Sequence, residues 1–86
     1  MVDVTLLYFA WVRQKIGRSE ETLALPEGIA TVAQLAAWLA ARGGGYADAF
    51  ADLRRLRAAV NQTHVGFEAQ ISDGDEIAFF PPVTGG

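Results

Sequence analysis

Phe79-Phe80-Pro81-Pro82-Val83-Thr84-Gly85-Gly86 is the stretch around which the rest of the chain is organised. Glu76 to Pro81 reads as a last strand, with Ile77 and Phe79 on one face and Ala78 and Phe80 on the other. Pro81 and Pro82 fix φ and lack backbone N–H groups, so the strand ladder stops at them. Two successive prolines favour an extended, solvated conformation that leads away from the body. Gly85 and Gly86 then remove all side-chain bulk, so that a backbone without Cβ can thread a narrow channel. The expected division is a folded body over residues 1–81 and a flexible Gly-Gly tail over residues 82–86.

Two readings of the tail stand side by side. It is a frayed terminus, as small residues at chain ends often are, or it carries a reactive terminal carboxylate into another protein. A carboxylate is a poor acyl group without activation. Adenylation by a partner using ATP would let a sulfur nucleophile attack the acyl-adenylate, leaving a thiocarboxylate on a thin arm.

Working back from the tail, Ser72-Asp73-Gly74-Asp75-Glu76 is a turn into the last strand. Its carboxylates lack the full ligand pattern of a calcium loop, so a solvated Asp-Gly turn is expected. Leu56 to Asn61 reads as a strand in which Leu56, Ala58 and Val60 alternate with Arg57, Ala59 and Asn61. Asn61-Gln62-Thr63 is turn-like, and His64 to Phe67 is a short extended piece. His64 is the only histidine, with no serine, cysteine or metal-ligand partner in a catalytic arrangement. It reads as a surface or interface side chain.

Thr31 opens the clearest helix. Thr31 and Gln34 fit a capping box, and Val32, Leu35, Ala36 and Leu39 form its buried stripe, with Trp38 at the edge. Gly43-Gly44-Gly45 reads as the helix terminator and a loop. A phosphate cradle there would need a Gly-Lys-Ser/Thr context, and the only lysine is Lys15. Tyr46 to Leu53 suggests a short helical turn with Phe50 and Leu53 inward.

At the start, Val2 to Phe9 alternates as a strand, with Val2, Val4, Leu6 and Tyr8 toward the core and Asp3, Thr5, Leu7 and Phe9 outward. Ala10 to Ile16 is a short helix or turn closed by Gly17. Glu20 to Leu25 is a second strand, followed by the turn Pro26-Glu27-Gly28. The expected fold class is α+β: a sheet with one main helix packed on one face. Should the first and last strands be neighbours, Leu7, Phe9 and Phe80 share the other face, an aromatic docking surface beside the tail. The 43–54 loop or self-association would be other ways to cover it.

Composition sets further limits. The 86 residues make one small domain, 51% hydrophobic and 20% charged, which fits a globular chain rather than a disordered one. The net charge of -3 argues against a nucleic-acid or anionic-membrane binder. Arg54, Arg55 and Arg57 form a local cluster that reads as an exposed strand edge or a protein contact. The absence of cysteine means that any sulfur chemistry takes its sulfur from outside. Val2 to Ala10 lacks a basic leader and cleavage pattern, and no apolar run is long enough to span a bilayer, so a cytoplasmic protein is expected.

The run Asp73-Gly74-Asp75-Glu76-Ile77-Ala78-Phe79-Phe80-Pro81-Pro82-Val83-Thr84-Gly85-Gly86 resembles the C-terminus of the MoaD family, the small subunits of molybdopterin synthase. Ala59-Val60-Asn61-Gln62-Thr63 is similar to the family's middle segment, and Tyr8-Phe9-Ala10-Trp11-Val12-Arg13 to its start; residues 17–55 match mainly in pattern. The resemblance implies a ubiquitin-like β-grasp fold of mixed sheet. It implies a sulfur carrier in molybdenum cofactor biosynthesis, in which a MoeB-like enzyme adenylates Gly86 with ATP and a sulfur donor protein converts it to the thiocarboxylate. The tail, Pro81, Pro82, Val83, Thr84 and Gly85 included, would then enter a MoaE-like large subunit and give sulfur to cyclic pyranopterin monophosphate. A dithiolene needs two such deliveries, from a heterotetramer with a central large-subunit dimer. Phe9 and Phe80 match apolar docking residues of the family, whereas His64 stands where the family pattern has an apolar one, which places His64 at the rim of the interface. The family's small subunit binds no cofactor itself. A ThiS-like carrier for thiazole synthesis and a ubiquitin-like modifier are the alternatives that share a Gly-Gly end.

Overall fold

Strand β1, Val2–Tyr8, is an interior strand of the sheet, and its alternation sends Val4, Leu6 and Tyr8 into the core at no more than 1% exposure. The computed structural model describes residues 2–82. On one side β1 pairs in antiparallel register with β2, Glu20–Leu25, so that Leu6 lies across from Glu21 and Leu7 from Glu20. On the other it pairs in parallel with β5, Glu76–Phe80, with Leu7 beside Ala78 and Tyr8 beside Phe79. Strand β3, Arg57–Val60, joins β5 antiparallel, and β4, Thr63–Val65, closes the edge. The order β2-β1-β5-β3-β4 is a five-stranded mixed sheet. With helices on one face only, it is the expected ubiquitin-like β-grasp.

Helix α2, Val32–Ala40, is fixed at its start by the capping box read from the sequence. The Gln34 backbone N–H donates to Thr31 Oγ1 at 3.2 Å, and Gln34 Oε1 accepts from the backbone N–H groups of Thr31 and Ala30. Such a cap stabilises a helix by about 1 kcal/mol. Val32, Leu35, Ala36 and Leu39 are buried against the inner sheet face, where Ile77 and Phe79 meet them in one core. Phe50 packs edge-on to Phe79, ring centroids 4.8 Å apart.

Two shorter helices join the main one, near the short helical pieces expected from the sequence. Helix α1, Ala10–Ile16, lies between β1 and β2, buries Val12 and ends on Gly17, whose left-handed φ of 89° lets its N–H reach the Arg13 carbonyl. The glycine triplet does not make a loop. Gly43 caps a third helix, α3, Gly44–Ala49, which packs on α1 and α2. Gly45 has a steric role: a Cβ there would run into the Lys15 carbonyl at the end of α1. Alanine at Gly45 is expected to lower stability by about 2 kcal/mol, as overpacking does. Alanine at Gly44 adds no clash, only a positive φ of 55°, and chemical denaturation of the two variants distinguishes space from backbone strain.

Other expectations shift in smaller ways. Val2 and Leu53 are half-buried rather than core. Strand β3 spans Arg57–Val60, and Val60 is half-buried while Ala59, on the outer face, is 6% exposed. The β3–β4 connection is a two-residue turn with both Asn61 and Gln62 at positive φ (51° and 70°), the geometry that suits the right-handed twist of a hairpin. Asn61 anchors it, donating from Nδ2 to Asp75 Oδ1 and accepting from the Glu76 N–H. Asp75 thus serves the turns around it, with Oδ2 accepting from the Ser72 N–H.

A polar cluster invisible in the sequence ties β2 to the helices. Glu21 is on the inner side of β2, and its side chain is 6% exposed. Tyr8 and Tyr46 donate their hydroxyls to Glu21 Oε2 at 2.8 and 2.6 Å. Arg18 reaches Oε1 at 3.1 Å and Arg42 at 3.7 Å, while the Arg42 guanidinium also lies 4.6 Å from the Tyr46 ring centroid. Burial foremost, then the hydrogen bond to Glu21 and its charge, push the Tyr8 hydroxyl far above the ordinary value of 10.0; Tyr46 shifts the same way for the same causes.

Candidate functional site: the outer sheet face and the tail exit

The parallel pairing of β1 with β5 brings the outward residues of both strands onto one surface. Leu7 lies beside Ala78, and one step on, the Phe9 N–H donates to the Phe79 carbonyl at 3.2 Å. Phe9 is therefore next to the end of β5, just before α1 turns away through Ala10 at φ 53°. It is 49% exposed, the one large exposed hydrophobic residue among the described residues. All three helices, α3 included, belong to the opposite layer, so residues 43–54 do not cover this face.

Phe80 is half-buried on the same face, directly across from Arg57 of β3. His64 is exposed on edge strand β4, across from Ala59. The two rings meet over the small Ala59 side chain, centroids 5.1 Å apart and tilted by 46°. This diagonal contact explains why Ala59 is nearly inaccessible on a face without helices. Phe9, Leu7, Phe80 and His64 thus form a continuous apolar and aromatic strip from β1 across β5 to β4. Pro81 and Pro82 are half-buried and fall outside the ladder. Val83, Thr84, Gly85 and Gly86, the remaining residues of the expected tail site, lie outside the described residues.

The arginine cluster is not at a strand edge. Strand β3 is flanked by β5 and β4, and Arg54 and Arg55 belong to a 3-10 turn, Leu53–Arg55, that leads into it. Arg54 is bound to Asp52, with Nε 3.0 Å from Oδ1 and Nη2 3.1 Å from Oδ2. Arg57 is exposed beside Phe80, and Arg55 lies over Trp11, its guanidinium carbon 5.0 Å from the ring centroid.

Chemically, the described part of this surface offers apolar and aromatic side chains for binding. The Tyr8–Glu21–Tyr46 cluster, the most perturbed titratable group among the described residues, faces the helical layer with its oxygens occupied by hydroxyls and guanidinium groups. An apolar strip beside Pro81 and Pro82 is suited to docking against another protein. No helix among the described residues is long and apolar enough to cross a membrane.

Comparison with known proteins bears on the same surface and tail. Residues 6–86 match the model of the ThiS family. The molybdopterin synthase sulfur carrier subunit of Escherichia coli strain K12 is 45% identical over 83 residues, covering 96% of this chain and 99% of that protein. The subunit of the same name from Haemophilus influenzae is 40% identical with the same coverage. Among solved structures, a chain of the complex of subunits 1 and 2 of the molybdopterin-converting factor from Helicobacter pylori shares the fold. Its TM-score is 0.66 at 21% identity, over 99% of this chain and 100% of that one.

Proposed function

The chain belongs to the ThiS family, and from that premise we propose that it is the sulfur-carrier subunit of a molybdopterin synthase, acting in molybdenum cofactor biosynthesis. The observation that carries this is the near full-length identity to the curated carrier subunits, while the family match over residues 6–86 spans both the aromatic strip and the Gly-Gly end. The Gly86 carboxylate attacks the α-phosphate of ATP on a MoeB-like partner, releasing pyrophosphate and forming the acyl-adenylate. A sulfide equivalent from a donor protein adds to that carbonyl and AMP leaves, giving the thiocarboxylate. Gly85 and Gly86 offer no side chain to obstruct entry into the large subunit, where the sulfur is given to cyclic pyranopterin monophosphate. The MoaE-like large subunit supplies the substrate pocket, in a heterotetramer. Support for such a partner comes from the Helicobacter pylori protein of the same fold, solved as a complex of subunits 1 and 2.

Phe9, Phe80 and the rim residue His64 hold the carrier in place while Pro81 and Pro82 direct the tail. Aromatic residues at the centre of an interface contribute about 2 kcal/mol or more each. Aspartate at Phe80 is therefore expected to weaken binding to the cognate large subunit at least thirtyfold, on the order of 2 kcal/mol. Titration calorimetry checks this, with the far-UV spectrum confirming the fold. Binding of the variant equal to that of the unsubstituted chain would remove the strip from the interface. Capture of a thiazole-forming enzyme instead of the large subunit, or conjugates of the chain on lysines, would replace the carrier assignment with one of its two alternatives.

A further inference from the structure

We infer that Arg55 and Arg57 steer and orient docking of the outer face, and that the surface it fits is an apolar socket bordered by carboxylates on the β3 side. The inference rests on the carrier reading and adds the chemistry of the partner. Of the seven basic residues, Arg18 and Arg42 bind Glu21, and Arg54 binds Asp52. Arg55 and Arg57, like Arg13 and Lys15 on α1, meet no carboxylate among the described residues. Both are exposed; Arg57 lies directly across from Phe80 at the end of β5, from which the chain runs into Pro81 and Pro82, and Arg55 precedes it in the turn that leads into β3.

Neither side chain is loose. Arg57 Nη1 donates to the Leu56 carbonyl at 2.8 Å and lies 3.5 Å from that of Arg54, while Arg55 rests on the Trp11 ring. These contacts fix the guanidinium groups without neutralising them. Part of their ordering cost is met before any partner arrives.

Position then dictates what the partner must offer. Arg57 is the cross-strand neighbour of Phe80, so a protein that covers the Phe80 ring also removes water from the Arg57 guanidinium. A cation desolvated without a counter-charge is strongly disfavoured. A partner that covers this strip therefore places a carboxylate at Arg57, where planar bidentate pairing fixes orientation as well as strength. On a chain of net charge -3, two unpaired cations beside the tail exit also turn that end toward an acidic surface during encounter.

The test is binding of the full chain to the cognate large subunit, followed by stopped flow at several salt concentrations, for the unsubstituted chain and for Arg57→Gln, Arg57→Glu, Arg55→Glu and Phe80→Asp. The expected result is a loss of about tenfold for Arg57→Gln and more for Arg57→Glu at low salt, shrinking as salt rises. The association rate should fall with salt for the unsubstituted chain and less steeply for the arginine variants, including Arg55→Glu. Phe80→Asp should lose affinity at every salt concentration. Arginine variants that bind like the unsubstituted chain at low salt, or lose affinity equally at all salt concentrations, overturn the inference and leave the carrier reading standing. Failure of the unsubstituted chain to bind the large subunit overturns both.

Discussion

A chain lacking Gly85 and Gly86 is expected to lose sulfur transfer to the pterin entirely while unfolding at the same temperature as the full chain. The two halves of this result have separate physical grounds. Sulfur transfer requires the carbonyl carbon of Gly86 to become an acyl-adenylate and then a thiocarboxylate. Shortening the chain leaves Thr84 as the terminus, with a branched side chain at the reacting carbonyl and two fewer residues of reach, roughly 7 Å when extended. Stability is a different matter, because every buried core residue among the described residues lies between Val4 and Phe79. Transfer assays with the large subunit and thermal unfolding of both chains check the prediction. Normal transfer by the shortened chain would remove the tail from the chemistry; a lowered melting temperature would give it a structural role.

Alanine at Glu21 is expected to destabilise the fold by about 3 kcal/mol, a large part of the 5–15 kcal/mol that holds a typical domain. The carboxylate accepts two tyrosine hydroxyls and faces two guanidinium groups from a position 6% exposed. Its removal strands the Tyr8 hydroxyl, which costs about 1–3 kcal/mol, and leaves Arg42 and Tyr46 without their acceptor. Glutamine at Glu21 keeps an acceptor oxygen and should lose roughly half as much. Denaturant unfolding of both variants measures the difference. The cluster also sets the alkaline limit. The folded pKa of Tyr8 is raised above the unfolded value, so its contribution is complete below the unfolded pKa, near 10, and is lost as pH rises from there toward the folded value. Stability should therefore begin to fall above about pH 10, and Tyr8→Phe should flatten that fall by about 1.4 kcal/mol per pH unit. An unchanged slope in Tyr8→Phe would show that the hydroxyl ionises as freely folded as unfolded.

The parts of this fold that were legible in the sequence are those fixed by near neighbours. The Thr31–Gln34 box is a contact over three residues, and the alternation of Val4, Leu6 and Tyr8 or of Ile77 and Phe79 follows from the pleat alone. The placement of Leu7, Phe9 and Phe80 on one face needed a single further condition, that β1 and β5 be neighbours. What escaped was decided by approaches between distant segments. Gly43 to Gly45 carries the composition of a loop, and only the Lys15 carbonyl, thirty positions before Gly45, gives Gly45 its place in a helix. Glu21 shares its strand face with Leu23 and Leu25, but the groups that satisfy its carboxylate, Tyr46 and Arg42, come from distant segments. Ala59 is covered because Phe80 and His64 meet above it from two different strands. The same holds for the site. Phe9 and Phe80 could be named from pattern, but Arg57 could be separated from Arg54 only when Asp52 was seen to neutralise the latter.

The central claim is that Gly86 becomes a thiocarboxylate. Its most direct test is the intact mass of the purified chain after incubation with the adenylating enzyme, ATP and a sulfur donor. The carrier account requires a gain equal to the replacement of one oxygen by sulfur, dependent on ATP and absent from a chain lacking Gly86. No gain, under conditions in which the same adenylating enzyme charges another carrier, would contradict it and leave the aromatic strip as the protein's working surface.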